Sequence, residues 1–363
     1  MYIQGYNIGK YNHDCKPVQN QVMFGVRIKQ ARLLSKMSQQ ELAEKVNVSR
    51  MTISKYENNK MHPASGRLIS ISKVLNVGID YFFRETSVIL NPKCAFRKSP
   101  YLTDKDLGEI MAKSTDILER QKEIMNIMNA SLGKVPKHLI RDIFSMEDIE
   151  NLSVELRNEW QLGLDPIDNL LEVIENNGFC VGVINAPKGF DAFTDVVDND
   201  IPVIILQANM PGDRQRFTLG HELGHFFIKN SISINEERAA NQFAGAFLVP
   251  REMLIRDMGK KRTKISLDEL DLLKHKYGAS MQCLIYRMKE VGIIDSSLAD
   301  SIFSCFKKRG WDVTEPREQI PSEKPMKIRL LVNHAVSEGI ISTSKGRELL
   351  GEKLSFKTEL RAS

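Results

Sequence analysis

The sequence predicts a multidomain, mainly α-helical protein, in which a small basic helical domain precedes a larger α+β domain with a small sheet. Three observations carry this. A length of 363 residues accommodates two or three domains. Residues 22–85 are short helical patterns broken by tight turns, and they hold eleven Lys/Arg against five Asp/Glu. From 150 to 295, helical patterns surround only two strand-sized apolar runs, "FCVGVI" (179–184) and "VIILQA" (203–208).

Composition narrows the class. With 42% hydrophobic and 27% charged residues, wholesale disorder is excluded. No apolar run approaches the ~20 residues that a membrane-spanning helix needs, and the N-terminus lacks the basic-then-apolar pattern of a secretory signal. The five cysteines (Cys15, Cys94, Cys180, Cys283, Cys305) are odd in number, scattered and without a C-x-x-C. That pattern fits reduced thiols in a cytoplasmic protein.

Residues 1–21 show no periodicity and read as a flexible lead-in. Residues 22–85 form the basic domain, and 86–150 a linker followed by an amphipathic helix. In that helix Leu107, Ile110, Ser114, Ile117, Gln121, Ile124 and Met128 repeat at 3-4 spacing. Packing against the next domain is the favoured reading, and a dimer seam is the alternative. Two helices are expected across "SVELRNEWQLG" and "PIDNLLEVIENNG", with Pro166 opening the second and Gly178 closing it. The run "DRQRFTLGHELGHFFI" (213–228) reads as one long helix, and another runs from Glu236 to about Phe247. Beyond 295, a polar, proline-bearing linker (315–325) leads to a C-terminal helical segment within 296–363.

"SQQELAEKVNVSRMTISKYE" (38–57) has the anatomy of a helix-turn-helix. Ser38 and Glu41 make a capping box, and Leu42, Ala43 and Val46 face inward. Asn47 suits a left-handed turn. Ser49 caps the second helix and Ile53 packs inward, which leaves Arg50, Met51, Thr52, Ser54 and Lys55 outside. A helix fits the major groove of DNA and reads base edges from its N-terminal end, and the local excess of positive charge suits the phosphates. The segment from about Val22 to Arg84 resembles the Xre/Cro-type helix-turn-helix repressors. The resemblance implies a five-helix DNA-binding domain that binds a double-stranded operator, commonly as a homodimer. It also places Gln39 and Gln40 among the DNA contacts, and Ser49, at the start of the second helix, is counted with the DNA-binding residues.

"HELGH" sets His221 and His225 one turn apart on a single helix face, with Glu222 beside them. Two imidazoles so spaced suit Zn2+, and a carboxylate there suits proton transfer. Gly220 and Gly224 cost helix stability, which makes sense where a neighbouring strand or substrate approaches the backbone. A third ligand is needed, and the next helix offers Glu236 and Glu237. Glu237 is favoured because Ala240 and Ala244 lie along its face. Asn241, four residues on, would support the Glu237 carboxylate.

The blocks "RFTLGHELGHFF" and "EERAANQFAGAFLVP", with flanking sequence over about 150–295, resemble the ImmA/IrrE family. The resemblance implies a gluzincin-like zinc peptidase with His221, His225 and Glu237 as ligands and Glu222 as catalytic base. It also implies a repressor protein as substrate, in trans or the chain itself. Many relatives carry an acid two residues before the Asn, where this chain has Ala239. His275 and Tyr286 are candidate oxyanion donors that spacing does not single out. Three functions follow: a regulator that cleaves a repressor, a transcription factor whose peptidase-like domain only senses a ligand or partner, and, last, an antitoxin fused to a toxin.

Overall fold

The computed structural model describes residues 24–83, 88, 90, 102–198 and 200–352. The expected lead-in, the end of the basic domain and most of the linker therefore lie outside the described residues. The chain divides into two compact units, residues 1–87 and 88–363.

Among its described residues the first unit has four α-helices, α1 (Phe24–Leu34), α2 (Gln39–Lys45), α3 (Arg50–Glu57) and α4 (Ser65–Leu75). The fifth helical element is a single 3-10 turn, Ile79–Phe83. Ser38 and Glu41 form the capping box at α2, an arrangement that contributes about 1 kcal/mol. Asn47 sits in the left-handed region at φ 56°, and Ser49 Oγ accepts from Thr52 N–H to start α3. Leu42, Ala43, Val46 and Ile53 are at most 2% exposed.

The second unit is built around a three-stranded sheet in the order β2 (Cys180–Ile184), β4 (Ile201–Gln207), β3 (Ala192–Val197). β2 runs parallel to β4, and β3 antiparallel to it with Thr194 opposite Ile204. Both faces of β4 are buried, which is why its sequence is an unbroken apolar run. Val203 and Ile205 pack under α5 (Asp104–Ile127) with Ile110, Leu118, Phe193 and Val197. Ile204 and Leu206 face the main core with Leu219 and Leu223. The amphipathic helix thus covers a sheet face. Ser114 and Gln121, which weaken its stripe in sequence, are both buried, and Gln121 Nε2 donates to Val181 O (2.8 Å).

The main core lies between α6 (Met146–Glu159), α7 (Leu170–Asn176), the sheet, α8 (Gly212–Phe227), α9 (Glu236–Leu248) and α10 (Arg251–Met258). It continues into α11 (Leu267–Tyr277), α12 (Met281–Val291) and α13 (Ser296–Arg309). Trp160 packs edge-on against Phe179, Phe227 and Phe247 at its centre. β5 (Ile228–Ser231) follows directly from the end of α8 and forms a short parallel pair with β1 (Arg141–Ile143). The end of α9 is held by two buried arginines: Arg157 donates to Phe247 O (2.5 Å) and Arg287 to Val249 O (3.0 Å).

Three expectations are corrected. The helix expected to open at Pro166 begins at Leu170, because Asn169 caps it by accepting from Glu172 N–H. The helix before it starts at Met146, earlier than expected, behind a Ser145/Asp148 capping box. The 315–325 segment is a strap rather than an open linker. Glu315 accepts from Met281 N and Gln282 N at the start of α12 and pairs with the buried Lys274. Glu323 accepts from Leu170 N and Leu171 N at the start of α7 and pairs with Arg216 of α8. Gly212 N–H donates to Ile320 O (2.8 Å), and a side chain at Gly212 would run into the Pro321 carbonyl. After the strap, α14 (Lys327–Ser337) and α15 (Thr343–Leu350) bury Val332, Ala335 and Leu349 against Ile124 of α5.

Candidate metal centre and nucleic-acid interface

α8 and α9 cross closely because their facing residues are small. A Cβ on Gly220 would lie 3.1 Å from Ala244 Cα, and one on Gly224 would lie 3.0 Å from Ala240 Cα. The neighbour that makes these glycines necessary is therefore the backbone of α9, not a strand or substrate. Each histidine follows one of the glycines directly, so the crossing that seats Gly220 and Gly224 also carries His221 and His225 to the start of α9. Asn235 caps that helix by accepting from Glu237 N–H and Arg238 N–H.

The structure brings His221, His225 and Glu237 to one point. The two histidine Nε2 atoms are 2.9 Å apart, and the Glu237 carboxylate lies 3.5 Å from His221 Nε2 and 3.6 Å from His225 Nε2. Glu236, the competing acid, is exposed and not part of this group. Asn241 does not support Glu237 as expected; its Oδ1 is 2.8 Å from His221 Nδ1. A carboxamide oxygen only accepts, so with Nδ1–H donating to it Nε2 is the nitrogen left to present a lone pair to a metal. The donor set fits zinc: two nitrogens and a carboxylate, with the imidazole tautomer fixed from behind. Ligands about 2.1 Å from a tetrahedral ion stand roughly 3.4 Å apart, and the observed separations bracket that value.

Glu222 projects from the same helix and is 8% exposed. Its Oε2 accepts a hydrogen bond from Thr194 Oγ1 at 2.7 Å. Sequence reasoning missed Thr194 because it lies on β3, a strand whose sequence "AFTDVV" carries no motif. Of the two downstream donor candidates, His275 Nδ1 is 2.9 Å from Asp271 O, and the Tyr286 ring packs at a tilt on Phe303. Burial pushes the Cys180 and Cys283 thiols up to about 12, so neither offers a thiolate at neutral pH.

In the first unit, Arg50, Met51 and Lys55 are exposed on α3, with Thr52 and Ser54 half-buried beside them. The Ser49 and Thr52 hydroxyls are 2.9 Å apart at its N-terminus. Gln40 reaches out and donates to Glu44 (2.7 Å), whereas Gln39 is turned toward the end of α3 and donates to Glu57 (2.7 Å). Glu57 also takes both ends of the Arg32 guanidinium, so this carboxylate links α1, α2 and α3.

Residues 28–82 match the helix-turn-helix family, and residues 186–289 match the IrrE N-terminal-like domain family. The curated relative named "Uncharacterized HTH-type transcriptional regulator YqaE", from Bacillus subtilis, is 34% identical over 113 residues, which are 28% of this chain and 97% of that protein. A transcriptional regulator in the ATPase CF(0) region of Rhodospirillum rubrum is 39% identical over 61 residues, 17% of this chain and 56% of its own length. The chain spans about half the length of several curated relatives it matches. Among solved structures, Bacillus thuringiensis PlcR with the peptide PapR7 and DNA is 13% identical with a TM-score of 0.17, over 89% of this chain and 100% of that one.

Fold and site together define a helix-turn-helix protein that also carries a metallopeptidase-like domain. The chain belongs to the Xre-like HTH-type transcriptional regulators, with an IrrE-like domain following the helix-turn-helix.

Proposed function

We propose that the chain binds a double-stranded DNA operator through α3 and hydrolyses a peptide bond of a repressor protein, in trans or its own, at a zinc site formed by His221, His225 and Glu237. The observation that carries this is the convergence of those three side chains, with Glu222 next to His221 in the chain. A site for sensing alone has no need of a base next to its ligands.

Zinc, when bound, supplies an acidified water and an electrophile for the scissile carbonyl. The rest falls to side chains of this chain. His221 and His225 present lone pairs from one helix face, and Asn241 keeps the His221 proton on Nδ1. The Glu222 carboxylate takes the proton of the attacking water and returns it to the leaving amine. On the DNA side, Arg50 and Lys55 lie at the exposed start and end of the α3 face, suited to base edges and phosphates. A homodimer on a palindromic operator matches this reading.

The test uses Glu222→Gln of the full chain to capture the substrate protein, which is then offered to the wild type. The wild type is expected to cleave it at a limited site, and Glu222→Gln to keep its zinc yet leave it intact. Cleavage by Glu222→Gln at the wild-type rate would reject the mechanism.

A further inference from the structure

β3 sits at the edge of the three-stranded sheet, hydrogen-bonded to β4 from Ala192 to Val197. Alternation along the strand divides its side chains. Phe193 and Val197 go to the α5 face, whereas Thr194, opposite Ile204, goes to the face that α8 covers. The backbone beneath Thr194 is thus fixed by the ladder, and a β-branched side chain has few χ1 choices left. Glu222, by contrast, reaches its position through three side-chain torsions. The 2.7 Å contact between Thr194 Oγ1 and Glu222 Oε2 lies in the range of a charge-assisted O–H···O⁻ bond. The hydroxyl is the donor, since an ionised carboxylate only accepts.

We infer that Thr194 is a positioning residue for Glu222: the rigid strand holds one carboxylate oxygen, and so sets how the carboxylate faces the His221–His225–Glu237 group. This rests on the peptidase reading. A purely structural threonine would behave differently, because valine has the same shape and is at least as good a strand former.

The experiment compares the zinc-loaded full chain with Thr194→Val, Thr194→Ser, Glu222→Gln and the Thr194→Val/Glu222→Gln double variant. The readouts are zinc content, melting temperature and calorimetric affinity for acetohydroxamate. A hydroxamic acid releases a proton on binding a metal, and an adjacent carboxylate in the right orientation accepts it. All variants are expected to keep their zinc and to melt close to the wild type. Thr194→Val should weaken the probe about tenfold, the scale of one hydrogen bond to a charged group, and Thr194→Ser should restore it to within about twofold. In the Glu222→Gln background Thr194→Val should add nothing, since both changes act through one carboxylate. Wild-type affinity in Thr194→Val, or an effect that adds in full to that of Glu222→Gln, would overturn the positioning role and leave the peptidase reading standing. A wild type that takes up neither zinc nor the probe would overturn both.

Discussion

The α2–α3 and α8–α9 pairs both bring two helices together over small side chains, Ala43 in one and Gly220, Gly224, Ala240 and Ala244 in the other. In the first pair the helices are adjacent in sequence, turned through a left-handed Asn47, and apolar residues fill the space between them. Closeness there leaves the far face of α3 outside, with Arg50, Met51 and Lys55 exposed. The second pair is joined through β5 and is closed more tightly, backbone against backbone. The side chains of His221, His225 and Glu237 there meet one another. One crossing displays side chains to a large partner, and the other gathers them onto a single atom-sized point. The tolerance for error should differ accordingly.

Gly224→Val breaks the tighter crossing and has the largest expected effect. Its side chain would press on Ala240, whose Cα lies 3.0 Å from the Cβ position. Overpacking of this kind costs about 1–3 kcal/mol, and the separation of α8 from α9 should abolish zinc uptake. A protein that melts normally and still binds zinc would show that the close crossing is not what assembles the site.

Arg50→Ala with Lys55→Ala strikes the displayed face instead. The fold should be unchanged, since both side chains are exposed, but operator affinity should fall at least tenfold. The dependence on salt should become shallower by roughly one unit for each phosphate no longer neutralised. A gel-shift titration with unchanged affinity and slope would remove α3 from the interface. Asn47→Val has the smallest effect of the three: forcing a β-branched residue to φ 56° should destabilise the first unit by about 1–2 kcal/mol, read as a lower denaturation midpoint with zinc uptake untouched.

Legibility in the sequence follows the range of the interactions. His221 and His225 are readable from spacing alone, because one helical turn is a local rule, and Glu237 follows from the small residues on its own face. The Ser38 box and Asn47 turn are local too. Thr194 is not readable in this way: its partner is 28 residues away, and a threonine in a strand signals nothing until β3 is laid against α8. Asn241 lies on the expected helix but meets a different partner, since i, i+4 proximity to Glu237 competes with a histidine that only the crossing delivers. The strap is least legible. Acids and prolines in sequence suggest a solvated linker, yet Glu315 and Glu323 are drawn in by backbone N–H groups at the starts of α12 and α7, where helix ends need acceptors.

The most direct test of the central claim, that His221, His225 and Glu237 form one zinc site, is elemental mass spectrometry of the purified wild type and of His221→Ala. The expected result is about one zinc per chain in the wild type and loss of most of it in the variant. A wild type without metal after zinc is supplied, or a His221→Ala protein that holds as much zinc as the wild type, would contradict it.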